Sequence, residues 1–336
     1  MRYLFFCLVI VSLIALGISC DSVPSDNGSD DTQRPTCVIK TPANNSIVWN
    51  KVDITAEATD NVGVSKVDFF GDYSMLFTDT SSPYSYTWDI SGLSGDHYIY
   101  AIALDKAGNS GSSDTITIKI PALLIKDDFD TYAVGVVPSS PWDVVTSGDG
   151  TILISDRFAS SMGNTADINC DGSQFSTVIA DLPFTNATKM MFLLSFYYEE
   201  ADIKIRFGNS GRDWTTTGPC LLIEDNVLYI DDGSIIPVKA IDLTPNKWYS
   251  LRLDIDCSTQ TFDIQIDGKV VKNDASFMDN VGQINRLGFL ALSNNKACKE
   301  VHIDSLFAYD MSGVMGKHKG ISRNTSSKKT LILLNR

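Results

Sequence analysis

The fold is decided by two neighbouring stretches of sequence, WYSLRLDI at residues 248–255 and TFDIQI at residues 261–266. Apolar and polar side chains alternate in both stretches, and a period of two is the pattern of a half-buried β-strand. Residues 257–260, CSTQ, lie between them and predict a turn, so the two stretches predict adjacent antiparallel strands. We expect Trp248, like Trp88 in an earlier alternating stretch, to lie in the core.

The same kind of pattern extends through residues 122–310. Residues 202–207, DIKIRF, alternate strictly, and residues 190–198, MMFLLSFYY, form a long apolar strand. The Asp267-Gly268 pair supplies a further turn, and no amphipathic helix of ordinary length is visible. A long run of antiparallel strands predicts a jelly-roll β-sandwich for this region.

Residues 35–120 form a separate region of short strands, and Pro121 marks the boundary between the two. Four stretches alternate with period two, at residues 52–58, 64–70, 97–104 and 115–120. Turn signals such as Asp60-Asn61 separate them. Several strands at this spacing predict a second β-sandwich, so the chain is expected to be all-β.

The first region carries four phrases in order: PTCVI with TPA at 35–43, ATDNVGV at 58–64, PYSYTWD at 83–89 and AIALDKAGN at 101–109. With these phrases it resembles the bacterial immunoglobulin-like domains of surface proteins. The resemblance implies an N-terminal immunoglobulin-like β-sandwich. It also implies a spacer or adhesive module, since such domains are rarely catalytic.

Three places in the second region carry another resemblance. They are DDFD at 127–130 with Tyr132, Gly135, Pro138 and Trp142; residues 248–252 leading into 262–268; and VHIDSL at 301–306. The region resembles the concanavalin-like or laminin-G-like jelly rolls of carbohydrate-active and surface proteins.

Jelly rolls of this type often carry a structural ion that joins the first and last strands, so the resemblance implies calcium. Calcium takes oxygen ligands, carboxylates among them. Acidic residues near the start of the region and in its closing strand fit that arrangement: Asp127, Asp128, Asp130 and Asp304. The alternative is plain solvation of a charged strand edge, which also discourages aggregation between sheet edges.

The N-terminus is typical of an export signal. A basic start is followed by an apolar run over residues 3–19 that ends at Cys20. Residues 1–20 resemble a bacterial lipoprotein signal, which implies lipidation of Cys20 and an extracytoplasmic protein anchored at the cell envelope. Gly17 departs from the leucine usual at that position. A freely secreted protein and a retained transmembrane anchor therefore stay open as alternatives.

Two polar stretches flank the predicted sandwiches. Residues 21–34 are rich in Asp, Ser, Asn and Gly and predict a disordered tether. Residues 311–336 contain several basic residues and no acidic one, and predict a disordered basic tail.

Charge and cysteines exclude some functions. The net charge of −14 argues against a nucleic-acid partner, because such proteins usually carry a basic stripe. The cysteine spacing contains no CxxC pair, which argues against zinc. Beyond Cys20 the cysteines are odd in number: Cys37, Cys170, Cys220, Cys257 and Cys298. Two disulfides within the second region, or buried thiols, are both open.

Catalytic motifs are scarce. His97, His302 and His318 form neither a zinc motif nor part of a nucleophile elbow, and we expect a strand histidine to be a surface or satisfied residue. Glycoside hydrolysis needs two carboxylates about 5–10 Å apart. Glu200 and Asp202 are the nearest pair on one strand face. We therefore expect a protein that is not an enzyme, with a glycoside hydrolase or polysaccharide lyase as the alternative.

A carbohydrate site needs an aromatic platform beside polar groups. Trp214 lies in a loop of Gly, Ser, Asp and Thr, next to Arg212 and Asp213. On the preceding strand, alternation places three charged residues on the face opposite the apolar ones: Asp202, Lys204 and Arg206. These six residues are the predicted ligand-binding site, and the alternative is the solvated side of the sandwich.

Together these patterns predict a non-enzymatic cell-surface lipoprotein. An immunoglobulin-like stalk would present a jelly-roll module that binds carbohydrate or another surface polymer. A structural or adhesive envelope protein that binds protein partners is the first alternative, and a carbohydrate-active enzyme is the second.

Overall fold

The computed structural model describes residues 31–147, 150–158, 163–170, 177–199, 202–209, 216–292 and 300–313. Within these ranges every regular element is a β-strand, and the strands form four sheets. The all-β prediction is therefore confirmed. Among the same residues there is no helix long and apolar enough to cross a membrane.

The first unit packs a three-stranded sheet, in the order β1–β3–β6, against a second sheet in the order β2–β9–β7–β4–β5, with β8 paired to β7. Its core contains the fully buried Ile54, Phe69 and Ile99. The strands are β1 (Thr36–Thr41), β2 (Ser46–Ile47), β3 (Lys51–Thr59), β4 (Val64–Gly71), β5 (Ser74–Asp79), β6 (Tyr84–Asp89), β7 (Gly95–Asp105), β8 (Ser110–Ser112) and β9 (Ile116–Ile120).

The second unit is a larger sandwich. Its strands are β10 (Ala122–Asp127), β11 (Asp143–Ser147), β12 (Gly150–Ser155), β13 (Thr165–Cys170), β14 (Thr177–Ala187), β15 (Lys189–Tyr198), β16 (Ile203–Gly208), β17 (Thr217–Glu224), β18 (Val227–Ile230), β19 (Val238–Asp242), β20 (Lys247–Asp256), β21 (Thr261–Ile266), β22 (Lys269–Ser276), β23 (Ile284–Leu292) and β24 (Val301–Asp310).

These strands form two sheets that share one core. The eight-stranded sheet has the order β12–β13–β24–β15–β20–β21–β22, with β10 paired to β24, and the seven-stranded sheet has the order β11–β14–β23–β16–β17–β18–β19. Phe192 of β15 meets Phe207 of β16 across the core, with ring centroids 5.0 Å apart. Alternating apolar residues from both sheets fill the space between them.

The hairpin predicted from residues 248–266 is present as β20 and β21, which pair antiparallel from Leu251↔Ile266 to Asp256↔Thr261. Tyr249, Leu251 and Leu253 point into the core. The prediction that Trp248 lies in the core is wrong, because alternation places it on the opposite, outward face. Trp88 is half-buried and packs at the margin of the first core.

The outward face of the eight-stranded sheet has an apolar end and a polar end. At one end, Met191 of β15 and Tyr309 of β24 form a small apolar cluster with Ile47 and Trp49 of the first unit. The Trp49 and Tyr309 rings lie 6.5 Å apart, edge to face. The first unit therefore contacts one end of this face, while the other end carries the polar residues described below.

Three of the cysteines are buried free thiols, namely Cys37, Cys220 and Cys257. The alternative of two disulfides in the second region is therefore wrong, since it needs both Cys220 and Cys257. Burial raises the pKa of each of these two thiols to about 12, so they stay protonated at neutral pH. The side chains of Cys170 and Cys298 lie outside the described residues.

Candidate functional site

Four side chains form one cross-strand row on the outward face of the eight-stranded sheet. Asp167 of β13 pairs directly with His302 of β24, His302 pairs with Tyr197 of β15, and Tyr197 pairs with Trp248 of β20. Directly opposite residues on neighbouring strands bring their side chains into contact. We call Asp167, His302, Tyr197 and Trp248 the His302 row.

His302 is fully buried although it points away from the core. Its neighbours Val301 and Ile303 face inward, so alternation directs the imidazole outward. The Nε2 atom lies 3.2 Å from Nη1 of Arg157. Because a guanidinium can only donate, Nε2 is the acceptor and the ring proton belongs on Nδ1.

The Nδ1 atom of His302 faces Asp167, 2.7 Å from its Oδ1. The approach is close but lies outside hydrogen-bond alignment, so the contact is electrostatic rather than an aligned hydrogen bond. The hydroxyl of Thr165 also donates to Oδ1 of Asp167, at 2.7 Å. The carboxylate is thereby held against the imidazole.

Arg157 covers the row from the segment after β12. Its Nη2 lies 2.7 Å from Oε1 of Glu199, and its Nη1 lies 3.1 Å from Oε2 of Glu300. Asn169 donates from Nδ2 to the other oxygen of Glu300, at 3.1 Å. With Asp167, one guanidinium faces three carboxylates, and the cluster keeps formal negative charge.

The same cluster has the spacing of a metal site, since ligand atoms of Asp167, Glu300 and His302 all lie within 4.8 Å of one another. Arg157 already supplies a positive charge there and donates to both Glu300 and His302. A metal ion at this position would have to displace the guanidinium. The contacts therefore fit an ion-paired network better than a metal centre.

Three aromatic rings adjoin this network. Phe158 lies 4.9 Å from Tyr197 and 5.2 Å from Trp248, measured between ring centroids, and Tyr197 lies 5.5 Å from Trp248. All three side chains are half-buried. Tilted and edge-to-face contacts at these distances are favourable and fix the rings relative to one another. The result is a partly exposed aromatic surface beside carboxylates, a guanidinium and an amide.

The predicted ligand residues occupy a different part of the sandwich. Lys204 and Arg206 lie on the outward face of the seven-stranded sheet, as their alternation with apolar neighbours predicts. Lys204 Nζ is 3.1 Å from Oδ2 of Asp231. Burial lowers the pKa of Arg206, and the Asp181 charge partly offsets this. Asp202 is half-buried just before β16.

Three predicted ligand residues lie in a loop outside the described residues, namely Arg212, Asp213 and Trp214. Glu200 also lies outside the described residues. Lys204 and Arg206 face away from the His302 row, because the two sheets turn opposite faces to solvent. The predicted site stays a prediction, and it competes with the His302 row for the role of ligand surface.

Sequence reasoning missed the row, although one signal was available. Tyr249 shares its strand face with Leu251, Leu253 and Ile255, so Trp248 had to share the polar face with Arg252. The register between neighbouring strands cannot be inferred from the sequence in this way. Only the sheet order β13–β24–β15–β20 shows that residues so distant in sequence meet.

The predicted calcium ligands fall into two groups. Asp127 is engaged by protein donors: Oδ1 accepts from the Phe129 amide at 3.0 Å, and Oδ2 accepts from Tyr132 Oη at 3.1 Å and Trp142 Nε1 at 2.7 Å. The calcium site was predicted from Asp127, Asp128, Asp130 and Asp304. Both carboxylate oxygens of Asp127 already accept hydrogen bonds from the protein.

The other three residues interact electrostatically. Asp304 is buried in β24, and burial, together with the charges of Asp130 and Asp128, raises its pKa to about 6. Asp128 pairs with Lys126 at 3.1 Å, and Asp130 accepts from the Asn164 amide at 2.8 Å. Calcium at these carboxylates stays a prediction.

Comparison with known proteins identifies part of the first unit. Residues 35–101 match the family described as "Bacterial Ig domain", in agreement with the immunoglobulin-like resemblance of this region. No curated protein matches the chain.

Several solved structures are similar to the chain at low identity. A sialidase is 12% identical with a TM-score of 0.45, over 64% of this chain and 21% of its own. Carbohydrate-binding modules of the β-sandwich superfamily are 12% identical with a TM-score of 0.40, over 83% and 98%. Fibronectin(III)-like modules of Clostridium thermocellum CbhA are 31% identical with a TM-score of 0.22, over 26% and 45%.

The match thus spans about a fifth of the sialidase chain. Because these TM-scores are below 0.5, the β-sandwich assignment does not depend on these structures. It rests on the sheets and cores described above.

Proposed function

We propose that this protein is a non-enzymatic cell-surface protein whose second unit binds carbohydrate, with the immunoglobulin-like first unit as its stalk. The observation that carries the proposal is the in-register His302 row with its aromatic neighbour Phe158. Binding sites for small ligands combine apolar rings with a few polar groups of fixed orientation.

The chemistry of the row suits sugars. The apolar face of a pyranose ring packs on an aromatic ring, while its hydroxyls bind carboxylates, amides and guanidinium groups. Trp248 and Tyr197 offer such rings, and Glu300 and Asn169 offer polar atoms at the same sheet face. Because their mutual contacts already fix these side chains, little conformational entropy is lost on binding.

The local charge narrows the class of ligand. Arg157 is a single guanidinium among the carboxylates of Asp167, Glu199 and Glu300, and the whole chain carries a net charge of −14. A polyanionic polymer would be repelled over the range of the Debye length, about 8 Å at physiological salt. We therefore expect a neutral glycan.

The first test is a glycan array and a pull-down with insoluble polysaccharides, using the full chain. Trp248→Ala should lower the affinity for the identified glycan at least about tenfold, as expected for loss of a stacking anchor. Tyr73→Ala is the matched control, because Tyr73 is an aromatic residue of the first unit with 73% exposure. Full binding by a folded Trp248→Ala variant would contradict the proposal.

A second candidate function is adhesion to protein partners through the first unit. Phe70, Tyr73, Tyr98 and Tyr100 form a connected set of aromatic rings there, with Phe70 and Tyr100 stacked at 4.7 Å. Exposed apolar patches mark interaction surfaces. If this patch is the functional surface, Tyr73→Ala lowers attachment and Trp248→Ala does not.

Catalysis is the third candidate, and the Asp167–His302 pair is the observation that favours it. We propose that the pair is structural, because His302 has no exposed surface and both ring nitrogens face protein groups. A general base must reach the proton that it abstracts. Turnover of the bound polysaccharide that disappears in His302→Gln would assign the pair to catalysis instead.

We further propose that the protein is extracytoplasmic and anchored through lipid on Cys20, with residues 21–34 as a tether. The support is the export signal of residues 1–20. Labelling of cells with a palmitate analogue should mark the wild-type chain and not Cys20→Ser. Equal labelling of both chains, or label in neither, would leave a secreted or otherwise anchored protein.

A further inference from the structure

A cavity of about 780 Å³ lies between the two units. One wall comes from β1, β3 and β6 of the first unit, and the other comes from β15 and β24 of the second. None of the four residues of the His302 row lines it. We call this cavity the inter-unit cleft. Its volume is within the range of ligand sites, about 300–1,000 Å³, and such sites often lie between domains.

The wall from the first unit carries hydroxyl groups in register. Thr41 of β1 pairs with Thr55 of β3, and Thr55 pairs with Ser85 of β6. The hydroxyls of Thr41 and Thr55 lie 2.7 Å apart. One pair further along the same face, the hydroxyl of Thr87 donates to Oδ1 of Asp53 at 2.7 Å. Because a hydroxyl both donates and accepts, this wall offers both kinds of hydrogen bond to a ligand.

The wall from the second unit is apolar. Met191 of β15 pairs with Tyr309 of β24, and Leu193 pairs with Phe307. The rings of Phe307 and Tyr309 are stacked, with centroids 6.5 Å apart and planes 10° from parallel. Leu193 and Phe307 are only half-buried. The cleft thus presents an apolar, partly aromatic surface opposite a surface of hydroxyls.

Trp49 adds a donor to the cleft. It lies just before β3 and contributes to the lining. Its Nε1 atom is buried and has no hydrogen-bond partner among the described residues. An indole N–H only donates, and a buried donor without an acceptor is costly. An oxygen atom of a ligand would satisfy it.

The backbone and the charges of the two walls narrow the class of ligand. The central strands β3, β15 and β24 each pair with a strand on both sides, so a ligand meets their side chains. An extended peptide that adds to a sheet is held mainly by main-chain hydrogen bonds at an edge. The charged residues among the lining are Lys51 and Asp53, one of each sign. The cleft therefore suits a neutral ligand that is rich in hydroxyls and has apolar faces.

We propose that the inter-unit cleft is a second saccharide-binding site. A neutral sugar packs its apolar face on Phe307 and Tyr309 and directs its hydroxyls to Thr41, Thr55 and Ser85. The proposal goes beyond the proposed function, because the cleft and the His302 row share no residue.

The two sites lie on the same outward sheet face. Leu193 in the cleft and Tyr197 in the His302 row are four residues apart on β15, and their side chains point the same way. At about 3.3 Å per residue, this spacing is about 13 Å. One linear chain of several sugars is long enough to contact both sites.

The test is calorimetry on the full chain with three neutral probes, namely cellohexaose, mannohexaose and xylohexaose. It is repeated in a Trp248→Ala background, which removes the anchor of the His302 row. There Thr55→Val should weaken the Kd of the bound probe about fivefold, as expected for the loss of one hydrogen bond.

Thr59→Val is the matched control. Thr59 lies on the same face of β3, and its hydroxyl is 2.7 Å from that of Thr36, as Thr55 is from Thr41. Thr59 does not line the cleft, so its substitution should leave the Kd unchanged. If Thr55→Val fails to fold, Thr87→Val serves instead.

Tryptophan fluorescence gives a local readout. In Trp248→Ala, a saturating probe should shift the emission, because Trp49 lines the cleft. The shift should be lost when Trp49→Phe is added.

The outcomes separate the two sites. Binding that survives Trp248→Ala and weakens in Thr55→Val supports the cleft, even where the His302 row fails its own test. Binding that Trp248→Ala abolishes and Thr55→Val leaves unchanged overturns the cleft and leaves the His302 row standing. Equal effects of Thr55→Val and Thr59→Val, or no binding of any probe by the full chain, also overturn the cleft.

Discussion

At the scale of single residues, Asp304 shows how burial and neighbouring charge control ionisation. Its carboxyl is 4% exposed in β24, and burial with the charges of Asp130 and Asp128 raises its pKa to about 6. Unfolded Asp titrates near 3.9. Between about pH 4 and pH 6 the folded chain therefore binds more protons at this residue, and stability falls as pH rises.

We predict that Asp304→Asn removes this loss of folding stability at higher pH. In EDTA, the variant should be more stable than wild type by on the order of 2 kcal/mol at pH 7.5 and should differ little at pH 4. Urea unfolding at the two pH values measures the difference. An equal difference at both values would mean that Asp304 does not carry the raised pKa.

At the scale of elements, most strands were predictable because each one carries its own alternation. Residues 202–207 and 261–266 correspond to β16 and β21 almost residue for residue. The prediction for Trp248 is wrong because alternating side chains of one strand point to opposite faces, and Trp248 lies on the face opposite the core. The His302 row could not be derived, because register between strands depends on contacts far apart in sequence.

A glycine in β8 tests the packing of strands in the first unit. A Cβ on Gly111 would lie 1.7 Å from the carbonyl oxygen of Pro35, which is backbone and cannot rotate away. Gly111→Ala should therefore destabilise the first unit by about 2–3 kcal/mol.

Urea unfolding measures the effect of Gly111→Ala. Gly282→Ala is the control, since a Cβ there meets nothing within 4 Å, and it should be near neutral. A Gly111→Ala chain as stable as Gly282→Ala would show that β8 does not pack against the start of β1 as described.

At the scale of the whole molecule, the first sandwich packs against the outward face of the eight-stranded sheet of the second sandwich. The first unit contacts Met191 and Tyr309 at one end of the eight-stranded sheet, and the His302 row lies at the other end. This arrangement leaves the proposed sugar surface uncovered by the stalk. The predicted surface around Lys204 lies on the opposite sheet, so the two sites can be separated by mutation.

We propose that the face around the His302 row binds the glycan. The most direct measurement is the Kd of the glycan found on the array, by calorimetry, for the full chain, Trp248→Ala and Trp214→Ala. We predict at least about a tenfold weaker Kd for Trp248→Ala and an unchanged Kd for Trp214→Ala. The reverse pattern, with Trp248→Ala unchanged and Trp214→Ala weakened, would contradict this proposal and favour the site predicted around Trp214.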